Sequence, residues 1–386
     1  MPRQIDELSV QEKRDLVSEI GLKKSGRSDK DWIELRNEFD LEMSPETLRK
    51  AGVGVKLVAD ADIYDGYAER QKLRDMTAQV NEMYRSEARN ELLREEIFSA
   101  VSKLKPLSPV YRVPVLSSSN RELVLCMGDV HYGADIRVKG LQGETLNEYN
   151  DEVFDIRMKD LFNQIACILA KENVSKLHLF LVGDLIDGML RQSQLVKLQY
   201  GLVDSTIKFS EYMANWIDSL SGMVDVNVAC CSGNHSEIRP LGSKKRQFPD
   251  ENMERIISWF LKARLDNNDR ITVDDRCDAY NLQNVLGYSF LLLHGDSEKT
   301  IPQLAAETIS LYAKPVDFFI CGHKHRDQEF PIGSTPDGHS TVIRVPSICG
   351  ADTYATSKGY GGKAGAVAIV MEEGYGRRCQ YPINLK

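Results

Sequence analysis

Leu123-Val124-Leu125-Cys126-Met127-Gly128-Asp129-Val130-His131 is the stretch that decides the fold. Its five consecutive apolar residues read as a buried strand. Gly128 lets the chain turn where the strand ends, which delivers Asp129 and His131 side by side at a sheet rim. One Asp-x-His pair says little, because a surface Asp and a satisfied His are common after a strand. The arrangement recurs four more times, however. After 179–182 comes Gly183-Asp184-Leu185-Ile186-Asp187-Gly188, and after 226–231 comes Gly233-Asn234-His235-Ser236-Glu237. After 291–293 comes His294-Gly295-Asp296, and after 318–321 comes Gly322-His323-Lys324-His325. The chain has seven histidines, and only His178 and His339 lie outside these blocks. Histidines placed for packing have no reason to collect beside Gly and carboxylates at strand ends.

Working outward, strand-like runs at 123–127, 177–182, 225–231, 288–293 and 316–321 alternate with helical patterns near 152–171, 203–220, 250–264 and 302–313. That alternation predicts an α/β fold with buried central strands. Runs at 341–345 and 364–371 have Gly-rich turns and no helix between them, so a mixed or antiparallel sheet closes the domain. The ligand side of such sheets is the carboxyl end of the strands, where all five blocks therefore converge. Segment 134–150 is polar and Gly-containing and is expected to form a loop over the site.

Upstream, residues 1–60 read as a small helical unit. Ser9 with Glu12 forms a capping box, Ser28-Asp29 opens a second helix through Trp32, Leu35 and Phe39, and Ser44-Pro45-Glu46 starts a third. This order resembles a helix-turn-helix module, although its mixed charges suit a structural bundle equally well. Residues 61–120 form a long helix and then a linker with Pro106, Pro109 and Pro114. Leu73, Met76, Val80 and Met83 keep heptad spacing before the pattern falters, so the 62–105 helix is either a homodimer contact or a connector. Residues 121–386 carry the chemistry.

Composition narrows the function. A net charge of −8 argues against a protein that coats nucleic acid through bulk charge, so any such contact needs a local basic patch. None of the eight cysteines forms a Cys-x-x-Cys pair, which argues against a zinc knuckle and for a reduced, cytoplasmic chain. The polar start carries no signal peptide, and no apolar run is long enough to span a bilayer, so no membrane partner is expected.

Neutral imidazoles, carboxylates and one amide carbonyl suit a divalent cation of hard-to-borderline character. Asp129, His131, Asp184, Asn234, His294, His323 and His325 are too many ligands for one ion. A bridging carboxylate serves two ions, and two ions about 3.5–4 Å apart form the clamp used for in-line phosphoryl displacement. In His323-Lys324-His325 an extended chain puts both imidazoles on one side, whereas a bend lets each reach a different ion.

The ordered set D-x-H, G-D-x-x-D-G, G-N-H-x-E, H-G and G-H-x-H resembles the calcineurin-like metallophosphoesterase superfamily over residues 121–386. The resemblance implies a four-layer sandwich of mixed sheets flanked by helices. It implies that Asp129, His131, Asp184 and His325 hold a first metal, and that Asp184, Asn234, His294 and His323 hold a second, with Asp184 bridging. His235 becomes the general acid that complements a metal-bridging hydroxide, and Asp187 orients it. One departure stands out: many relatives carry an acid directly after that histidine, where this chain has Ser236 before Glu237.

The spacing is most similar to the nuclease subunits of double-strand-break repair complexes and to phage and prophage phosphoesterases. Arg239, Lys244, Lys245 and Arg246 follow the third block, either as a phosphodiester-binding loop or as a solvated one, and Arg191 and Lys197 could extend the patch. The expectation is a phosphodiesterase or DNA nuclease using two divalent ions, Mn²⁺ first, with Fe, Zn or Co chemically acceptable. A nucleotide or small-molecule phosphatase or cyclic-nucleotide phosphodiesterase is the alternative.

Overall fold

The computed structural model describes residues 2–50, 119–188, 198–238, 247, 250–296, 300, 316–335, 338–352, 356 and 362–386, with scattered residues between 71 and 104 and between 303 and 310. The chain divides into two compact units, Met1–Leu92 and Leu93–Lys386. In the first, α1 (Val10–Lys24) starts at the expected capping box, with Ser9 Oγ accepting the Glu12 N–H and Glu12 accepting the Ser9 N–H. Helix α2 (Trp32–Glu38) starts later than Ser28-Asp29 suggested. Asp31 is its cap, because its carboxylate accepts two amide hydrogens, from Ile33 and Glu34. Helix α3 (Pro45–Lys50) begins after Ser44, as its Pro predicts. Leu16, Ile20, Leu35, Leu41 and Leu48 form the core of this unit. The described residues between 71 and 101 are helical, and most of the proposed heptad lies outside the described residues.

The second unit is built on two mixed sheets. The first contains β1 (Arg121–Met127), β4 (Lys176–Leu181), β5 (Asp225–Cys230), β6 (Ile271–Val273), β12 (Gly365–Glu372) and β13 (Gly376–Asn384), in the order β13-β12-β1-β4-β5-β6. The second contains β7 (Tyr280–Val285), β8 (Tyr288–Leu293), β9 (Phe318–Cys321), β10 (Gln328–Thr335) and β11 (Gly338–Arg344), in the order β10-β11-β9-β8-β7. Strand β1 lies parallel to β4 and antiparallel to β12, so it is paired on both edges.

Alternation along β1 shows how the layers form. Leu123, Leu125 and Met127 face a core shared with α4 (Asp151–Glu172), α5 (Leu202–Ser221) and α6 (Met253–Leu265). Val124 and Cys126 face the space between the sheets, with Phe180, Phe290, Leu292, Ile320 and Ile369. Strand β1 reads as an unbroken apolar run because it is buried on both faces. Cys230 and Cys231 likewise point into the two different cores, as adjacent strand residues must. The outer face of the second sheet buries Leu291, Leu293, Phe319 and Val342. The helical pattern predicted over 302–313 falls largely outside the described residues.

Segment 134–150 is not a loop. It forms a hairpin of β2 (Ile136–Lys139) and β3 (Thr145–Tyr149). The pattern concealed it because on β3 the apolar Leu146 is exposed while the polar Asn147 is buried. Asn147 Nδ2 donates to the carbonyls of Cys349 and Ala351, and its Oδ1 accepts from buried Arg157 of α4. Arg157 also donates to the carbonyls of Ile348 and Cys349, so hairpin, helix and the 348–351 turn are locked together.

Candidate metal centre

The parallel strands of both sheets end at one rim, and the chain there is forced into unusual backbone. Asp129, His131, Asp184, His323 and His325 all have positive φ, between 47° and 71°. Each such residue costs roughly 1–2 kcal/mol in the left-handed region. The surrounding loops hold them there: the Asp129 amide donates to Gly183 O, and the His131 amide to Asp184 O. Gly183, at φ +81°, packs so closely that an added Cβ would meet the Gly233 backbone at 2.8 Å. That approach is what lets the second and third blocks share one site.

Each carboxylate splits its duties. Asp129 Oδ2 accepts the His323 amide at 2.7 Å, and Asp184 Oδ1 accepts the His235 amide at 2.7 Å. The other oxygens face the imidazoles. His325 Nε2 is 3.7 Å from Asp129 Oδ1, and His131 Nε2 is 4.0 Å from both Asp129 Oδ1 and Asp184 Oδ2. On the other side of Asp184, Oδ2 lies 2.9 Å from His294 Nε2, and His323 Nδ1 is 3.3 Å from that same nitrogen. Two donor groups therefore meet at Asp184. The bend at 323–325 sends the two histidines to different groups, His323 to the one with His294 and His325 to the one with His131. Asn234 is buried in the loop between Gly233 and His235.

The outward-facing imidazole nitrogens are fixed. His294 Nδ1 donates to Val182 O, His325 Nδ1 to Gly350 O, and His131 Nδ1 to Asp187 Oδ1 at 3.4 Å. Such anchoring sets the tautomer and leaves Nε2 as the inward donor. Asp129 Oδ1 and His131 Nε2 are buried and make no hydrogen bond. Buried polar atoms without partners are costly, and a divalent cation is the group that this mixed O/N donor set suits.

The electrostatics agree. Burial opposes ionisation of Asp184, but the neighbouring His294, His235 and His131 overcome it and hold the carboxyl well below its ordinary range. Burial works against a charged His131, yet Asp187, Asp184 and Asp129 outweigh it and raise the pKa to about 9. Burial, and then His294, lower His323 to about 4. A cation must displace the His131 proton, whereas His323 already offers a neutral nitrogen.

His235 stands outside both groups. Its Nδ1 donates to Asp187 Oδ1 at 2.5 Å, and its ring meets that of His131 edge-on at 4.4 Å. Asp187 thus touches the expected acid and one expected ligand through the same oxygen. Burial opposes its charge, and the two histidine hydrogen bonds prevail and hold its carboxyl below the ordinary value. Arg239, Lys244, Lys245 and Arg246, like Arg191 and Lys197, lie outside the described residues. Glu237 is buried and pairs through its backbone with Asn252. His178, outside the blocks, is a satisfied sheet histidine between Glu122 at 2.7 Å and Asn227 at 3.2 Å.

Sequence reasoning missed Glu254. Its carboxylate lies wholly buried beneath the second and third blocks, where it accepts backbone hydrogens from Leu185 and Gly233. Asn252-Met253-Glu254 was readable as a helix start, but nothing in the sequence says that the acid turns inward. The interlock of Arg157 with Asn147 was equally invisible.

Residues 122–327 match the profile of the calcineurin-like phosphoesterase family. The chain is 31% identical over 316 residues to the SPbeta prophage-derived uncharacterized protein YonJ of Bacillus subtilis strain 168, covering 81% of this chain and 76% of that one. Among solved structures it is similar to an archaeal phosphodiesterase, with 13% identity, TM-score 0.34, and coverage of 68% of this chain and 99% of that one. Vps29 of Entamoeba histolytica complexed with Zn²⁺ gives 12% identity, TM-score 0.30 and coverage of 68% and 99%. Likenesses at that level add nothing to the fold described above. No described helix is long and apolar enough to cross a membrane. On the profile match and the homologue, joined to the ordered blocks at one sheet rim, the chain belongs to the calcineurin-like phosphoesterase family.

Proposed function

We propose that the chain is a phosphodiesterase dependent on divalent metal ions, with DNA as its substrate. The observation that carries the reading is the pair of donor groups meeting at Asp184, with His235 outside both and fixed by Asp187. Divalent cations, when bound, supply Lewis acidity toward the phosphoryl group and toward water near neutral pH. Asp129, His131, Asp184 and His325 would hold one cation, and Asp184, Asn234, His294 and His323 the other. The donors suit Mn²⁺, and equally Fe, Zn or Co.

The proton chemistry falls to the chain itself. His235 is partly exposed, with 19% of its side chain accessible, and Asp187 holds its Nδ1. Its Nε2 is then the atom that donates a proton to the leaving alkoxide. A proton donor matters most for a poor leaving group such as a sugar hydroxyl. Arg239, Lys244, Lys245 and Arg246 follow His235 closely in sequence and would hold the backbone phosphates. The helical unit at the start of the chain is a second candidate DNA contact, and the prophage origin of the homologue fits a nucleic-acid substrate.

The test compares hydrolysis of bis-p-nitrophenyl phosphate and p-nitrophenyl phosphate with added Mn²⁺, followed by linear single- and double-stranded DNA. Diester and DNA cleavage are expected, with turnover falling about 100- to 10,000-fold in His235→Ala. Mn²⁺ uptake by that variant should match wild type. Monoester hydrolysis with DNA left intact would reject the DNA reading and select a nucleotide phosphatase.

A further inference from the structure

Many relatives carry an acid directly after the motif histidine, where this chain has Ser236. In the structure a carboxylate from another element reaches Ser236. Glu254 lies in the first turn of α6 and is fully buried. Its Oε1 accepts the Leu185 amide at 2.7 Å and the Ser236 hydroxyl at 2.9 Å, while its Oε2 accepts the Gly233 amide. Those three donors flank Asp184 on one loop and bracket Asn234 and His235 on the other.

The surrounding contacts make the placement rigid. Asn252, the cap of α6, accepts the Glu254 amide at 2.9 Å and donates to Gly233 O at 2.8 Å. The Met253 amide donates to Ser236 O, and the Ile238 amide to Glu251 O. The first turn of the helix is therefore stitched to the third block along its length. A buried carboxylate is expensive unless fully hydrogen-bonded, so its retention here needs a reason. Packing alone would be served by an apolar side chain.

We propose that Glu254 is a positioning residue: through Leu185, Gly233 and Ser236 it sets the separation and tilt of the loops carrying Asp184, Asn234 and His235, and so the affinity of the centre for its divalent ions. This inference rests on the metal-dependent reading above. Glu254 touches no reacting atom, and it acts through the Leu185 and Gly233 amides and the Ser236 hydroxyl.

Glu254→Gln is the sharp probe because it keeps the shape. An amide oxygen can still accept the Leu185 and Ser236 hydrogens, but its NH₂ then opposes the Gly233 N–H, donor against donor. Calorimetric titration of Mn²⁺ into the chelator-stripped full chain should show affinity reduced about 10- to 100-fold. Diester turnover should fall with KM nearly unchanged, and metal-free melting should drop by only a few degrees, too little to account for the loss of affinity. Ser236→Ala, which removes one donor and leaves both amides in place, should lose only a few-fold. Because both residues act through one carboxylate, the double variant should be no worse than Glu254→Gln alone.

Wild-type Mn²⁺ affinity in Glu254→Gln would overturn the proposal. So would losses in the two variants that simply multiply, or an affinity loss fully accompanied by lost melting temperature. A wild-type chain that binds Mn²⁺ but cleaves no phosphoester would reject the functional reading while leaving the affinity comparison decisive for Glu254. A wild-type chain that takes up no Mn²⁺ would overturn both.

Discussion

Asp187 shows how one oxygen can serve two roles. It accepts from His235 at 2.5 Å and from His131 at 3.4 Å. The two histidines are expected to do different work, so substitutions at them and at Asp187 should separate. His235→Ala should lower turnover and leave Mn²⁺ binding intact. Asp187→Asn should lower turnover and also weaken Mn²⁺ binding, because an uncharged amide oxygen is a weaker acceptor for the His131 N–H that fixes its tautomer. Parallel measurement of kcat and Mn²⁺ affinity checks this, and an Asp187→Asn chain with unchanged affinity would show that the longer contact is idle. The clustered residues themselves were legible, since each lies in a Gly-containing block that follows an apolar run. Their left-handed backbone was not, because Asp129, His131, Asp184, His323 and His325 are held at positive φ by partners far away in sequence.

The long buried strands and helices were legible because one periodicity dominates each of them. Strands β1, β4 and β8 read as apolar runs, and α4 to α6 as amphipathic patterns of the right length. The β2–β3 hairpin was lost for the opposite reason: its buried Asn147 and exposed Leu146 invert the usual rule. Asn147 is inside because Arg157 and two carbonyls satisfy it, a condition only the tertiary structure reveals. That interlock is open to test. Arg157→Met should remove the guanidinium from the Ile348 carbonyl and Asn147 Oδ1, while the Cys349 carbonyl keeps only Asn147 Nδ2, costing about 3 kcal/mol in stability. Denaturant unfolding measures the loss. The same turn supplies Gly350 O to His325 Nδ1, so Mn²⁺ affinity should fall as well. A variant as stable as wild type would mean that water replaces the guanidinium.

At the scale of the molecule, charge in the centre ties stability to pH. His131 is raised to about 9 and Glu254 to about 7, the latter by burial and then by the charge of Asp184. Both groups hold protons more tightly folded than unfolded. The stability they give is complete at low pH and is lost as pH rises, through about 7 for Glu254 and about 9 for His131. Asp184 and Asp187 have the opposite sign, but their stabilisation is lost only as pH falls below the ordinary carboxylate range. His323, lowered to about 4, and His325, also lowered, share that opposite sign up to the ordinary histidine range, so the metal-free chain should melt at progressively lower temperature from about pH 7 to pH 9. The increment added by Mn²⁺ should grow over the same window, because the cation competes with the His131 proton. Differential scanning calorimetry with and without Mn²⁺ checks both slopes, and a metal-free melting temperature that rises with pH across that window would contradict them. The sheet order has one more consequence, for a chain still being made. Every donor of both groups has been synthesised once His325 has been added, but the antiparallel partner of β1 spans 365–372 and is itself covered by β13. A ribosome-bound chain at that point has an open edge on the strand that carries Asp129 and His131. Strand β1 therefore gains its second partner only after every residue of the two groups is already in the chain.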